Sequence, residues 1–127
     1  MKLRQYIEQT DLAAAAEFLA RQGRPSHVTE PDALRELLAR SAKVSVALDD
    51  ADRIIGFARC SIDRMRGICE VTLFEVASGP GADPVRKALL RHVTADAPDD
   101  VTWKFGDRAL QQSKETEVGR RSAAAPL

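Results

Sequence analysis

Apolar and polar residues alternate along several short segments of this chain and recur with a helical period along others. Residues Ile68 to Val76 are rich in β-branched and aromatic side chains and too few for a typical helix, which predicts a buried strand. One helical face is formed at positions i, i+3, i+4, i+7 and i+8 by Val85, Ala88, Leu89, His92 and Val93, which predicts an amphipathic helix. A glycine-containing loop, residues 78–83 (SGPGAD), joins the two elements.

The same reasoning predicts the other elements. Strands are expected at residues 2–7, 43–48, 53–62 and 101–105, with Leu3 and Ile7 as inward residues of the first strand. Helices are expected from Thr10 or Asp11 to Gln22 and from residue 29 to about 41, with a loop at 24–28 between them. The resulting order is β-α-α-β-β-β-α-β-α, a mixed α/β fold.

The boundaries of the domain follow from the same pattern. The pattern predicts a single domain at residues 1–121, whose last helix, residues 107–121, is mostly polar. Residues 122–127 are expected to form a flexible tail. Asp83 followed by Pro84 predicts the start of the third helix, with Asp83 as its cap. Gly56, inside a predicted strand, indicates a bulge or a close backbone approach.

Composition excludes several classes of function. Lysine plus arginine equals aspartate plus glutamate at 19 each, so no net charge favours nucleic acid or an anionic membrane. No signal peptide and no apolar run long enough to span a membrane is evident, which favours the cytoplasm. Cys60 and Cys69 predict two buried thiols in a reducing compartment, and we expect no metal site.

The strand, loop and helix from Ile68 to Val93 resemble the cofactor-binding core of the GNAT N-acetyltransferases. In that superfamily the fourth strand ends in a V-x-P-like segment, and an arginine- and glycine-rich loop leads to a helix reading approximately GxALL. Val76-Ala77-Ser78 and Ala88-Leu89-Leu90 fall at the family's spacing. The resemblance covers most of the chain and implies a GNAT-like fold that lacks the family's last strands.

The resemblance implies a site for acetyl-CoA, whose pyrophosphate would lie on N–H groups of the loop and the first helical turn. The positions of the family's loop motif fall on Gly81, Pro84 and Arg86, and none of them matches. Pro84 offers no N–H, and repulsion between Asp83 and a phosphate is on the order of 4 kcal/mol at about 4 Å. The cofactor-binding residues implied are Val76, Gly81, Ala82, Asp83, Val85, Arg86 and Lys87.

The side chains of Arg86 and Lys87 would replace the missing backbone contacts to phosphate, although both residues also fit a solvated helix face. Glu70 matches the glutamate that serves as general base in the histone-acetyltransferase branch of the family. The alternative is that Glu70 leans into solvent and pairs with an arginine such as Arg59.

Glu75 is the second candidate catalytic carboxylate. Strand alternation predicts that it faces away from Glu70 unless a bulge intervenes. It would then act as an alternative base, as an inhibitory charge, or in a salt bridge to a helix. The family's helix tyrosine that protonates the leaving thiolate has no counterpart in residues 107–121, where Ser113 or water would be a weak substitute; the one tyrosine is Tyr6.

The resemblance therefore implies transfer of an acetyl group from acetyl-CoA to a small-molecule or peptide amine. A GNAT-like binding or regulatory module that has lost coenzyme A binding is the alternative, and a sensor for another ligand is a third reading. Val101, Trp103 and Phe105 would share one face of an edge strand. An unpaired apolar edge favours association, so we expect a homodimer through the strand around Trp103.

Overall fold

The structure, a computed structural model, describes residues 1–106 as one five-stranded sheet with helices on both faces. The strands lie in chain order; the first four pair antiparallel and the fifth pairs parallel with the fourth. The predicted mixed α/β fold is confirmed. The elements are β1 (Lys2–Gln5), α1 (Glu8–Arg21), α2 (Ser26–Thr29), α3 (Pro31–Ala39), β2 (Lys43–Leu48), β3 (Ile54–Asp63), β4 (Ile68–Val76), α4 (Ala82–Thr94) and β5 (Thr102–Phe105).

Two hydrophobic cores lie on opposite faces of the sheet. On one face, α1 and α3 pack over β2 and β3 through a cluster that includes Leu19, Leu34 and Phe57. On the other face, α4 packs through Leu89 and Val93 against β3, β4 and β5. The predicted helix 107–121, with Ser113, and the predicted tail 122–127 lie outside the described residues.

The start of α1 differs from the prediction. The helix begins at Glu8, and Ile7, expected to point inward, is its N-cap with 47% of its surface exposed. Asp11 is buried, accepts the Ile7 N–H at 2.8 Å, and pairs with both terminal nitrogens of Arg4 at 2.6 and 2.8 Å. Burial opposes ionisation of Asp11, but these hydrogen bonds outweigh it and lower its pKa. A tertiary ion pair, not local capping, thus fixes this turn.

The connection between α1 and α3 contains a helix that the sequence pattern did not predict. Residues 24–28 were expected to be a loop, but Ser26–Thr29 form the single-turn helix α2. The following helix, α3, starts at Pro31, and the carboxylate of Glu30 accepts the N–H groups of Asp32 and Ala33 at 3.1 and 3.2 Å. Two acidic residues, Glu30 and Asp32, therefore lie at the start of α3, where negative charge is favourable.

Gly56 lies where helix α4 crosses the sheet, as the sequence predicted. A Cβ atom at this position would lie 3.1 Å from Ala47 Cβ and 3.2 Å from Leu89 Cδ2. The register of β2 and β3 also shifts beside it, between Ala47 and Leu48. Glycine allows α4 to approach the sheet closely.

A β-bulge at Leu73 changes which way the end of β4 faces. Arg59 of β3 pairs with Thr72, yet Phe57 pairs with Glu75, so two residues of β4 oppose one of β3. Leu73 has φ 52°, a conformation that costs a residue with a side chain on the order of 1–3 kcal/mol. Glu75 consequently lies on the same face as Glu70, which is the outcome expected if a bulge intervenes.

Candidate functional site

Five polar residues share the sheet face opposite α4, and together they form what we call the polar face. On this face Ser61 of β3, Glu70 of β4 and Lys104 of β5 lie side by side in register, and Arg59 pairs with Thr72. Phe57, two residues before Arg59 on the same face, is covered by α1 and α3. A pocket of about 170 Å³ opens beyond Arg59, toward the end of β3, and is lined by Ser61, Asp63, Arg66, Ile68, Glu70 and Lys104.

Glu70 is half-buried on the polar face and lines this pocket. The predicted alternative, an ion pair with Arg59, is not formed: within residues 1–106 no cationic nitrogen lies within 4 Å of its carboxylate. Its negative charge still acts on Arg59, whose pKa it raises against a larger lowering by burial. Glu70 is therefore close to positive charge yet not held by a salt bridge.

Glu75 is in a different state. Its Oε1 accepts a hydrogen bond from Arg24 Nε at 2.7 Å, and both side chains are about three-quarters buried, at 21% and 24% exposed. Glu75 therefore forms a salt bridge, but its partner lies in the loop after α1 and not in a helix as predicted. The guanidinium occupies lone pairs that a general base would need, so Glu75 is poorly placed to accept a proton from a substrate.

Arg59 is held on the polar face by two hydroxyl groups. Its Nε donates to Ser41 Oγ at 2.7 Å, and its Nη1 donates to Thr72 Oγ1 at 2.8 Å. Ser41 in turn donates to the Leu37 carbonyl at 3.2 Å, which ties the arginine to the end of α3. The side chain is 8% exposed, and burial lowers its pKa despite the opposing effect of Glu70.

The start of α4 corrects the prediction for Asp83. The N-cap is Gly81, no side chain caps the helix, and the carboxylate of Asp83 instead accepts a hydrogen bond from Arg86 one turn later. Asp83 therefore does not occupy the N–H groups of the first turn. The reason is geometric, because the helix begins at Ala82 and places Asp83 inside the turn instead of before it.

The turn before α4 is open to an anionic group. Among residues 1–106, no atom lies within 4 Å of the Cβ positions that side chains would occupy at Gly79 and Gly81, and Gly79 has φ 142°. The Ala82 N–H bonds the Gly79 carbonyl at 3.1 Å, and Pro84 has no N–H. The backbone donors of this turn are thus fewer than in an ordinary helix start, and the exposed Lys87 adds a cation nearby.

Two other predicted cofactor residues serve the packing of α4. Val85 is buried and its Cγ1 approaches Gly56, while Val76 packs against the α4 core. Between β4 and β5 the last described backbone bond joins the Gly106 N–H to the Val71 carbonyl at 3.0 Å, whereas β4 continues to Val76. The end of β4 and the turn before α4 therefore have no described strand beside them on the side of β5.

No family model matches the chain, and no curated protein matches it significantly. Solved structures do. A GNAT-family acetyltransferase from Staphylococcus aureus Mu50 is 12% identical with a TM-score of 0.67, over 94% of this chain and 82% of the other. Glucosamine-6-phosphate N-acetyltransferase from Arabidopsis thaliana is also 12% identical with a TM-score of 0.67, over 93% and 89%. The chain has the GNAT fold.

A third GNAT structure carries the cofactor. The phosphinothricin acetyltransferase from Sinorhizobium meliloti, solved in complex with AcCoA, is 24% identical with a TM-score of 0.55, over 76% of this chain and 58% of the other. Across the solved acetyltransferases the chain spans 54% to 89% of the other chain's length. The resemblance predicted from residues 68–93 is confirmed at the level of the fold.

Sequence reasoning missed part of the polar face of this GNAT-like sheet. Ser61, Thr72 and Lys104 were not singled out, nor was Arg24 as the partner of Glu75. A signal for the first two existed, because polar residues at 59, 61, 70 and 72 alternate with apolar ones at 58, 60, 69 and 71. Lys104 and Arg24 join them only through tertiary pairing.

The described histidines and cysteines fall where simple packing would place them. His27 is exposed on α2, and His92 is half-buried on α4 with Nδ1 2.7 Å from Ser45 Oγ. Cys60 and Cys69 are free and buried. Within residues 1–106, no three His, Cys, Asp or Glu side chains are arranged to hold a metal ion, and no helix is long and apolar enough to cross a membrane.

Proposed function

We propose that the protein transfers an acetyl group from acetyl-CoA to the amine of a small molecule or peptide. The position of Glu70 carries the proposal: it is half-buried, lines a pocket, and lies one residue before the last pair of β4 and β5. An amine must lose a proton before it can attack an acyl group, and a carboxylate here can accept that proton. The acetyltransferase structures with this fold support the reaction class.

Glu70 and Glu75 are both candidates for the role of base, since both lie on the sheet face opposite α4. We assign the role to Glu70. Glu75 is bound by Arg24 at 2.7 Å, whereas no cation of residues 1–106 lies within 4 Å of Glu70. A proton taken by Glu70, directly or through one water, leaves the amine nitrogen with a free lone pair. Acetyl-CoA, when bound, would supply the acetyl group as an activated thioester.

The open turn before α4 fits the phosphates of that cofactor in part. Gly81, Ala82 and Asp83 would face them, with Val76 and Val85 fixing the turn on the sheet. Arg86 and Lys87 would contribute positive charge, and Arg86 would exchange its bond to Asp83 for a phosphate oxygen. Pro84 leaves one backbone donor fewer, so we expect these side chains to carry more of the binding than usual.

Release of free thiol from acetyl-CoA in the presence of a panel of amines tests the activity. We expect Glu70→Gln, which preserves shape and removes the base, to lower kcat by about 100-fold or more. Glu75→Gln is the matched control on the same strand face and should lower kcat by less than about 10-fold. Equal losses in both variants, or none in Glu70→Gln, would contradict the assignment of the base.

Calorimetry with acetyl-CoA separates the enzyme from an inactive module. Binding by the unaltered protein supports the proposal. Binding that occurs only in the double variant Asp83→Arg/Pro84→Gly, which restores a donor and removes a negative charge, would favour a module that has lost the cofactor. Absence of binding in both proteins would contradict the cofactor assignment.

We also propose that the protein forms a homodimer through β5. This strand is one of the two edge strands of the described sheet, and Trp103 is only partly buried, with its ring 6.0 Å from that of Phe105. Size-exclusion chromatography with light scattering should give the mass of a dimer at micromolar concentration. Trp103→Lys should shift it to a monomer, and a monomeric unaltered protein would contradict the proposal.

A further inference from the structure

Arg59 is the one buried arginine of residues 1–106. Each other arginine in this part of the chain is exposed or has an ion-pair partner, as Arg4 has in Asp11 and Arg86 has in Asp83. Arg59 is 8% exposed, and no carboxylate of the described residues lies within 4 Å of its guanidinium. A buried charge without a counter-ion is costly, which raises the question of what compensates it.

The guanidinium is positioned but not neutralised by its protein partners. The two hydroxyl groups of Ser41 and Thr72 fix Nε and Nη1 and carry no charge. Nη2 has no hydrogen-bond partner within residues 1–106. It is also not enclosed, because the hydroxyl of Tyr6 is the one fully buried side-chain atom there without a partner. Nη2 therefore reaches accessible space with its donors available.

The proposed base, Glu70, is a neighbour of Arg59 on the sheet, and its charge acts on the guanidinium. Arg59 pairs with Thr72 and Glu70 pairs with Ser61, so Arg59 and Glu70 are diagonal neighbours on the polar face. Diagonal side chains on adjacent strands start about 7–8 Å apart, within reach of one small molecule. A free cation and a free carboxylate at this separation complement a ligand that carries both an anion and an amine.

We propose that the acceptor is an amine that also carries a carboxylate, as a free amino acid does, with the carboxylate bound by Arg59 and the amine at Glu70. This inference rests on the proposed acetyl transfer and specifies its substrate class. A singly charged anion fits better than a phosphate, because Arg59 is the one buried cation of this face within residues 1–106. The pocket cations Arg66 and Lys104 are exposed, and the carboxylates of Glu70 and Glu75 lie on the same face. Arg59 binds substrate here, and Ser41 and Thr72 position it.

Matched pairs of amines test the inference. Leucine, leucinamide and isoamylamine share a side chain and differ in the carboxylate, as do the other common amino acids and their amides. We expect KM for the best amino acid to be at least 10-fold lower than for its amide. O-phosphoethanolamine against ethanolamine is the phosphate arm. A preference for phosphate over carboxylate, or equal KM values for an amino acid and its amide, would overturn the inference.

Variants connect the preference to Arg59. Arg59→Gln should raise KM for the amino acid at least 10-fold and leave KM for the amide within twofold. Arg91→Gln, an exposed arginine on α4, is the matched control and should change neither value. If Arg59→Gln does not fold, Ser41→Ala, which removes one hydrogen bond from the guanidinium, should raise the amino-acid KM about threefold. Equal effects on both substrates would overturn the role of Arg59.

Binding measurements separate this inference from the proposed activity. If no amine consumes acetyl-CoA, the activity proposal fails, and N-acetyl-leucine and N-acetyl-leucinamide then probe the anion subsite by calorimetry. Tighter binding of the carboxylate, lost in Arg59→Gln, would support the subsite without the activity. Equal binding of the two compounds would overturn the subsite as well.

Discussion

Strands β3 to β5 present apolar residues on one face of the sheet and polar residues on the other, because alternate residues of a strand point to opposite faces. The face under α4 is apolar and closed, whereas the polar face is charged and borders a pocket. The first holds Ala58, Cys60, Cys69, Val71 and Phe105, and the second holds Arg59, Ser61, Glu70, Thr72 and Lys104. One face stabilises the domain, and the other is available for a ligand.

Ionisable groups behave differently on the two faces. Under α4, burial and the neighbouring Cys69 raise the pKa of Cys60 to about 11, so its thiol stays neutral and unreactive near neutral pH. On the polar face Arg59 and Glu70 are charged groups without an ion pair within 4 Å in the described residues. Charge is tolerated where the sheet is open and excluded where a helix covers it.

Truncating the centre of the α4 face should have the largest effect on stability. Leu89 is fully buried, and Leu89→Ala is expected to lower the free energy of unfolding by about 3 kcal/mol, because it removes apolar contacts and leaves a cavity. Ser61→Ala on the polar face should change it by less than about 0.5 kcal/mol. Urea denaturation measures both, and equal losses would show that the two faces do not differ in this way.

Filling the close approach at Gly56 should have the next largest effect. Gly56→Ala places a methyl group 3.1 Å from Ala47 Cβ, so we expect a loss of about 1–3 kcal/mol of unfolding free energy from overpacking. The double variant Ala47→Gly/Gly56→Ala should recover part of it. Gly81→Ala is the control, since nothing lies within 4 Å of its Cβ position. An unchanged denaturation midpoint in Gly56→Ala would contradict the packing of α4.

On the polar face, replacing a charged side chain by an apolar one should raise the free energy of unfolding instead of lowering it. Arg59→Met replaces a buried, unpaired cation by an apolar side chain and is expected to raise the free energy of unfolding by about 1 kcal/mol. Arg4→Met is the contrasting variant, because it leaves the buried carboxylate of Asp11 unpaired and should lower stability by about 2 kcal/mol. If Arg59→Met destabilises as strongly as Arg4→Met, Arg59 is a structural residue and not a ligand-binding one.

The smallest expected effect on stability comes from His92, the histidine of α4. Burial and the charge of Lys43 lower the pKa of His92, against a raising effect of Asp96. Its folded pKa therefore lies below the ordinary value of about 6.5, and the unfolded chain takes up the proton first as the pH falls. Stability from this group is complete above that pH and decreases below it.

Denaturation at pH 7.5 and pH 5 tests this dependence. The unaltered protein should lose more unfolding free energy between the two conditions than His92→Gln, which keeps a polar group near Ser45 but does not titrate. The carboxylates titrate in both proteins and cancel in the comparison. An equal loss in both proteins would show that His92 is not the responsible group.

The sequence pattern predicted elements well where neighbouring residues alone determine the structure. Residues 43–48 alternate cleanly, and the strand there has the predicted bounds. Helix α2 was missed because a single turn of four residues is shorter than the window in which a helical period can be recognised. The start of α1 was misplaced because Asp11, read as a cap, is instead buried against Arg4 of β1.

The sequence by itself determined the order of the five strands and of the three longer helices, and it pointed to Glu70 as a candidate base. Only the tertiary structure decided which charged groups meet. Leu73 carries no local signal for φ 52°, and its bulge exists because β4 must pair with β3 in two registers. That pairing turns Glu75 onto the face of Glu70 and aligns Thr72 with Arg59. The bulge depends on how β4 pairs with β3, and the residues of β4 alone do not show it.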